Sequence, residues 1–279
     1  MRRRSRSSKR GGTCAEVPPL RACRGACPCL GLAWRAQRCA RRGAASFGGH
    51  VETTKRLVCL ANSRKHHGRC VAGIDMASNT WVRPISDRTG HEVAEHERRY
   101  GNGAEPRVLD VIEMRLVERR RSGFQRENWL MDPTVRWRRT GRASWDDLRR
   151  LEQPAEPLWI NSGDDTYKGV NDRVSVAQAA GLTDSLRLIR VDSVTITVEQ
   201  AYDPSRGLEV RAGFRHSECA YILRVTDCVY EERFKGRGVG SYRIGESFLT
   251  VSLGEEWSGY YYKMVAAIIE RREVRSGGG

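Results

Sequence analysis

The segment at residues 55–73, KRLVCLANSRKHHGRCVAG, constrains the fold more than any other stretch of the chain. Its apolar run of Leu57, Val58, Cys59, Leu60 and Ala61 has the length and composition of a buried strand. The run breaks into polar residues 62–69 and resumes as Cys70, Val71, Ala72 and Gly73. A third run, Trp81, Val82, Arg83, Pro84 and Ile85, follows a short polar gap. The expected arrangement is two or three strands holding a loop between them. That loop offers donors from Ser63, Arg64, Lys65, Arg69 and either His66 or His67, and it holds no acid. A phosphate-like anion suits it, and so does plain solvation of a basic hairpin tip.

The formal charge of +15 belongs mostly to one end of the chain. Residues 1–50 carry 12 Arg and Lys against Glu16 alone, whereas the remaining 229 residues hold 37 basic and 33 acidic side chains. Net charge therefore says little about the folded part. Arginine outnumbers lysine 43 to 6, which suits phosphate recognition and equally reflects a GC-rich genome. Of the nine cysteines, Cys59, Cys70, Cys219 and Cys228 sit in apolar runs and read as small buried hydrophobes. An odd cysteine count and no secretory signal argue against a disulfide framework. No stretch approaches the ~20 apolar residues of a membrane span. The expectation is a soluble, cytoplasmic protein with no membrane partner.

Residues 1–53 are read as a disordered basic extension rich in Arg and Cys. Three other readings stay open: a nucleic-acid arm, a metal knuckle of Cys23, Cys27, Cys29 and Cys39, and a transit-like segment. The preferred reading is upstream sequence translated as protein, with a start near Val51.

Beyond the third run, residues 92–100 read as a short helix and residues 108–118 as a strand. Residues 119–142 interleave Phe124, Trp129 and Trp137 with eight arginines. Ser144 followed by Asp147 is a capping box that opens a helix to about Leu151, and Ser175 with Gln178 is another. From Ser185 the chain turns all-β, with a hairpin turn at Ser217 and Glu218 and a fraying tail at 271–279. Short strands, few helices and glycine corners indicate a mainly β fold of two small barrels packed together, each about the size of a five-stranded barrel, with short helices in the connections. The expected division is a first barrel over 54–185 and a second over 186–270. No residue-level repeat relates the two.

The strings KRLVCLANSRKHHGRCVAG, WVRPISDR, RENWLMDP, SWDDL, LWINS, SLRLIRVDS and FLTVSLGEEWSGYYYKMVAAII resemble the prokaryotic dual OB domain (DuOB) family over about 55–269. The resemblance implies two OB folds and binding of nucleic acid or nucleotides, within bacterial defence systems.

OB folds stack bases on aromatics and track phosphates with cations on one face of the barrel. The candidates for phosphate are Ser63, Arg64, Lys65, Arg69, Arg83 and Lys263. Those for stacking or base reading are Trp81, Asn128, Trp129 and Trp137. Arg83 and Lys263 stand inside apolar runs, where a charge needs a ligand or a carboxylate such as Asp87 or Asp110. Asn171 and Asp172 suit a turn as well as a base edge. No catalytic residue, metal site or cofactor is assigned. Cys70 with His66 or His67 lacks an orienting group, and the glycines at 236–240 precede no helix pattern. The expected function is a non-catalytic nucleic-acid or nucleotide-binding module. Two alternatives stay open: an enzyme on a nucleotide-like ligand using Cys70 or Lys263, and a protein-interaction scaffold with defence-system partners.

Overall fold

The structure is a computed structural model that describes residues 52–275, so the expectations for the first fifty residues lie outside it. The chain runs through β1 (Thr53–Lys65), β2 (Gly68–Asp75), β3 (Trp81–Ile85), α1 (Glu95–Arg98), β4 (Asp110–Arg119), β5 (Asn128–Met131), β6 (Arg138–Arg142) and α2 (Trp145–Leu151). The first half of β1 pairs with β4 and its second half with β2. Around this bent strand the sheet order is β1-β2-β3-β5-β4 and back to β1, with β3 and β5 parallel. That closed five-strand circuit is an OB barrel. β6 adds a further strand beside β4.

The chain continues through β7 (Arg173–Ser175), α3 (Val176–Ala179), β8 (Leu186–Val191), β9 (Val194–Gln200), β10 (Leu208–His216), β11 (Cys219–Val225), α4 (Cys228–Lys235), β12 (Gly240–Ile244), β13 (Ser247–Trp257), β14 (Tyr260–Glu270) and α5 (Arg271–Arg275). β12 pairs with β9 and β13 with β8 in one unshifted antiparallel register: Ile244 faces Val194, and Ser247, three residues on, faces Val191, three residues back. β8–β9 is thus one kinked strand, and β12–β13 is its kinked partner. With β9 beside β10, β10 beside β11, β11 parallel to β14, and β14 beside β13, the second sheet repeats the winding of the first. The repeat is topological and leaves no trace at residue level. The two-residue turns at Ser217-Glu218 and Ser258-Gly259 take positive φ at both positions, which matches the twist of tight hairpins.

Each barrel has its own core. Leu57, Cys59, Val71, Ile112, Leu116 and Trp137 fill the first, and Ile196, Val198, Leu223, Phe234, Leu249 and Val265 fill the second. α4 follows β11 and precedes β12, and it buries Tyr230 and Phe234 in the second core, a helix that the all-β expectation for this half did not include. Between β3 and β4 of the first barrel, the single turn of α1 takes the corresponding place in chain order.

The continuous apolar run of β1 has a structural reason. Leu57 and Cys59 face the first core, while Val58 and Leu60 join Trp145, Leu148, Leu188, Phe248 and Ile269 in a cluster shared by both barrels. Ala61 and Ala72 meet Leu186 and Ala266 in a second shared cluster. A strand buried on both faces shows no polar alternation.

Three other expectations differ in detail. The basic stretch after Ala61 is no open loop: β1 runs on to Lys65, and only His66 and His67 turn the hairpin, because Lys65 pairs with Gly68. Residues 158–185 fall within the range expected for the first barrel, yet Leu158 enters the second core and β7 pairs with β14. At the tail, Arg271–Arg275 forms a helical turn, and Val274 packs on the shared cluster.

Candidate nucleic-acid interface

An OB barrel offers its second and third strands, with the loops between strands one and two and between strands four and five, as a ligand face. In the first barrel that face comprises the hairpin at His66, β3 and the loop before β5. The second barrel covers it. Arg64 Nη2 lies 3.3 Å from Glu231, Lys65 Nζ 2.9 Å from Glu255, and His66 Nε2 3.1 Å from the same carboxylate. Ser63 is buried and bridges the backbone of Asp227, and Arg69 donates to the Cys228 sulfur. Arg64, Lys65 and His66 at the tip therefore each meet a carboxylate of their own chain. A cavity of about 190 Å³ remains between Cys70, Arg83, Gln125 and the β13 segment from Ser252 to Glu255.

Arg83 is buried and meets Glu127 at 3.1 Å, a partner other than the Asp87 or Asp110 considered from sequence. It also donates to Ser185 Oγ at 2.8 Å and to Asn128 Oδ1 at 3.2 Å, so Asn128 is held in the same buried network. Trp81 Nε1 donates to Gln153 at 3.0 Å, and Gln153 in turn bonds the backbone of Leu188. Trp129 is half-buried, with Lys55 and Arg119 over its ring at 5.5 and 5.2 Å. Trp137 is 1% exposed in the first core, where neither ring face is available to a base. The residues singled out from sequence are thus not gathered in one groove. Most of them hold the barrels together.

The equivalent face of the second barrel is open. A groove of about 650 Å³ runs over β10 and β11, between the β9–β10 loop, the β13–β14 hairpin and residues 166–172. Tyr167, Tyr202 and Trp257 stand 86%, 82% and 69% exposed on its walls. Tyr167 and Tyr202 approach edge to face at 6.2 Å, and Trp257 leans on Tyr262 at 5.9 Å. On the floor, Arg211 and Arg224 are direct cross-strand partners. Like charges so placed repel. Arg211 is compensated by Glu209 at 2.9 Å, whereas Arg224 has no ion pair among the described residues. Burial, then the nearby Arg206 charge, pushes the Arg224 pKa below the usual guanidinium range.

Lys263, the one phosphate candidate from sequence in this groove, is 1% exposed. It donates to Ile160 O at 2.8 Å and Asn161 Oδ1 at 2.7 Å. Burial pulls its pKa down to about 8, against the opposing pull of Asp172 and Asp165.

Tyr167, Tyr202, Arg206, Arg224 and Trp257 escaped sequence reasoning. Their signal was position: Tyr202 and Arg206 lie in the loop between the first two strands of the second barrel, and Trp257 in the hairpin between its last two. That signal becomes readable only after the strands are assigned to barrel positions.

Among the described residues, no helix is long and apolar enough to cross a membrane. Searches of curated proteins and of solved structures return no match. The family model of the dual OB-containing domain matches residues 55–268, which span both barrels, and the chain belongs to that family.

Proposed function

We propose that the chain is a non-catalytic module that binds nucleic acid or a nucleotide on the open face of the second barrel, within a bacterial defence system. The defence setting rests on the family resemblance alone. The observation that carries the binding reading is the opposed pair Arg211 and Arg224 beneath exposed Tyr202 and Trp257. Arg211 is already met by Glu209, Asp172 and Glu199, whereas Arg224 beside it has no ion pair among the described residues, and its free donors favour an anion on the floor of the groove. Exposed rings on either side give bases a stacking surface. Single-stranded ligands follow from this reading, because stacking needs unpaired base faces.

The test is the salt dependence of binding between the full chain and a labelled single-stranded oligonucleotide, with free nucleotides as competitors. Affinity is expected to fall steeply as salt rises, since phosphate contacts release counterions. Absence of binding at low salt, or binding indifferent to salt, counts against the reading.

A further inference from the structure

The first barrel carries a second cationic concavity that shares no lining residue with the groove above. Its volume is about 560 Å³, and Arg107, Arg138, Arg139, Arg142 and Asp110 line it above Trp137. Its organising group is Asp110, which is 2% exposed. One carboxylate oxygen accepts from the Tyr100 hydroxyl and from the Arg107 backbone N–H, both at 2.9 Å. The other lies 3.3 Å from Arg139 Nε and 3.6 Å from Arg142 Nη1.

β6 reads Arg-Arg-Thr-Gly-Arg and buries no apolar side chain, so it adds nothing to the core. Its register against β4 shifts between Val111 and Ile112. Such a bulge re-aims side chains. Here Arg139 and Arg142 both reach one buried acid. Each guanidinium has five donors; Asp110 is shared between them and Val108 O accepts from Arg142 at 3.4 Å, while the Arg139 and Arg142 side chains stay 55% and 39% exposed. The Arg107 side chain has no ion pair among the described residues, while Arg138 and Glu105 are engaged with Glu113 and with Arg98. Charges that only protect an edge strand need no buried carboxylate beneath them.

We propose that this concavity binds a phosphate-dense anion, through Arg107, Arg139 and Arg142 oriented by Asp110. The chemistry is that of adjacent phosphates, supplied either by the polyphosphate of a free nucleotide or by successive phosphates of a nucleic-acid backbone. Calorimetric titration of the full chain with inorganic pyrophosphate at low salt tests it. The Arg139→Ala/Arg142→Ala variant is expected to bind about tenfold more weakly or worse, because charge-assisted contacts are lost. Arg149→Ala/Arg150→Ala removes the same charge from exposed positions of α2 and should bind like the parent chain. Arg224→Ala removes the anion contact of the second-barrel groove, and weakening in that variant but not in Arg139→Ala/Arg142→Ala overturns the proposal. No binding by the parent chain, or equal weakening in both arginine pairs, overturns the proposal. Repeating the titration with a nucleoside triphosphate and with a short oligonucleotide identifies the source. Weakening of the oligonucleotide by Arg139→Ala/Arg142→Ala assigns the site to a backbone, and weakening of the triphosphate alone assigns it to a free nucleotide.

Discussion

Arg83 is held at 4% exposure by Glu127, Ser185 and Asn128, and this network shows how a single residue ties the two halves of the chain together. Glu127 precedes β5 in the first barrel, while Ser185 immediately precedes β8 in the second. Removing one member of a buried pair leaves the other charge uncompensated. Glu127→Ala is therefore expected to destabilise the fold by about 3–5 kcal/mol in urea unfolding, whereas Arg83→Met with Glu127→Leu should recover most of the loss. Lys263 gives a prediction in pH. Its folded-state pKa of about 8 lies below its ordinary value of 10.5, so between those values the unfolded chain binds more protons. Stability should rise with pH through that window, by roughly 3 kcal/mol at most, and Lys263→Met should lack the rise. Cys59 opposes it at higher pH: burial pushes its thiol from 9.0 to about 12, so its contribution falls once the unfolded thiol ionises. The Lys263 effect is cleanest just above pH 8, measured as the difference between parent and variant.

At the scale of elements, the shared cluster between the barrels sets the cooperativity. Phe248 of β13 is fully buried against Trp145 of α2, with ring centroids 4.7 Å apart. Phe248→Ala is expected to cost about 3–5 kcal/mol and to lower the midpoint of one common unfolding transition. Two separated transitions would show that the cluster does not couple the barrels. By contrast, Glu255→Gln at the half-exposed clasp with Lys65 should change stability by no more than about 1 kcal/mol. These elements also show what sequence could convey. Ser144 and Ser175 accept from the backbone N–H of Asp147 and Gln178, as their capping boxes imply, because a cap depends on neighbours within one turn. The turn at Ser217-Glu218 was legible for the same local reason. Arg83 meeting Glu127 was not, since that contact depends on parallel pairing of β3 with β5 across a long insertion. The double burial of β1 was visible as an unbroken apolar run, but the identity of the surface on its far side was not.

Across the whole molecule, two barrels of one winding present the same outer face in opposite states. Ser252 to Glu255 of β13 cover the first face, where Glu255 meets Lys65 and His66. The second face is open, with Trp257 and Tyr202 on its walls and Arg224 on its floor. This asymmetry orders the effects of substitution on oligonucleotide binding. Trp257→Ala should weaken binding by about 1–3 kcal/mol with the salt slope unchanged, because stacking releases no counterions. Arg224→Ala should weaken binding and also flatten the logarithmic salt slope by about 0.7, the value of one phosphate contact on a single strand. Lys65→Ala should leave the salt slope unchanged, since Glu255 already neutralises that ammonium across the interface; the freed Glu255 also lines the open groove, so any change in affinity is a loss. Fluorescence anisotropy of a labelled oligonucleotide over a range of salt reads affinity and slope together. The reverse pattern, with Lys65→Ala flattening the slope and Trp257→Ala silent, would place the ligand on the first barrel. Binding there would require the second barrel to withdraw its carboxylates from Arg64, Lys65 and His66.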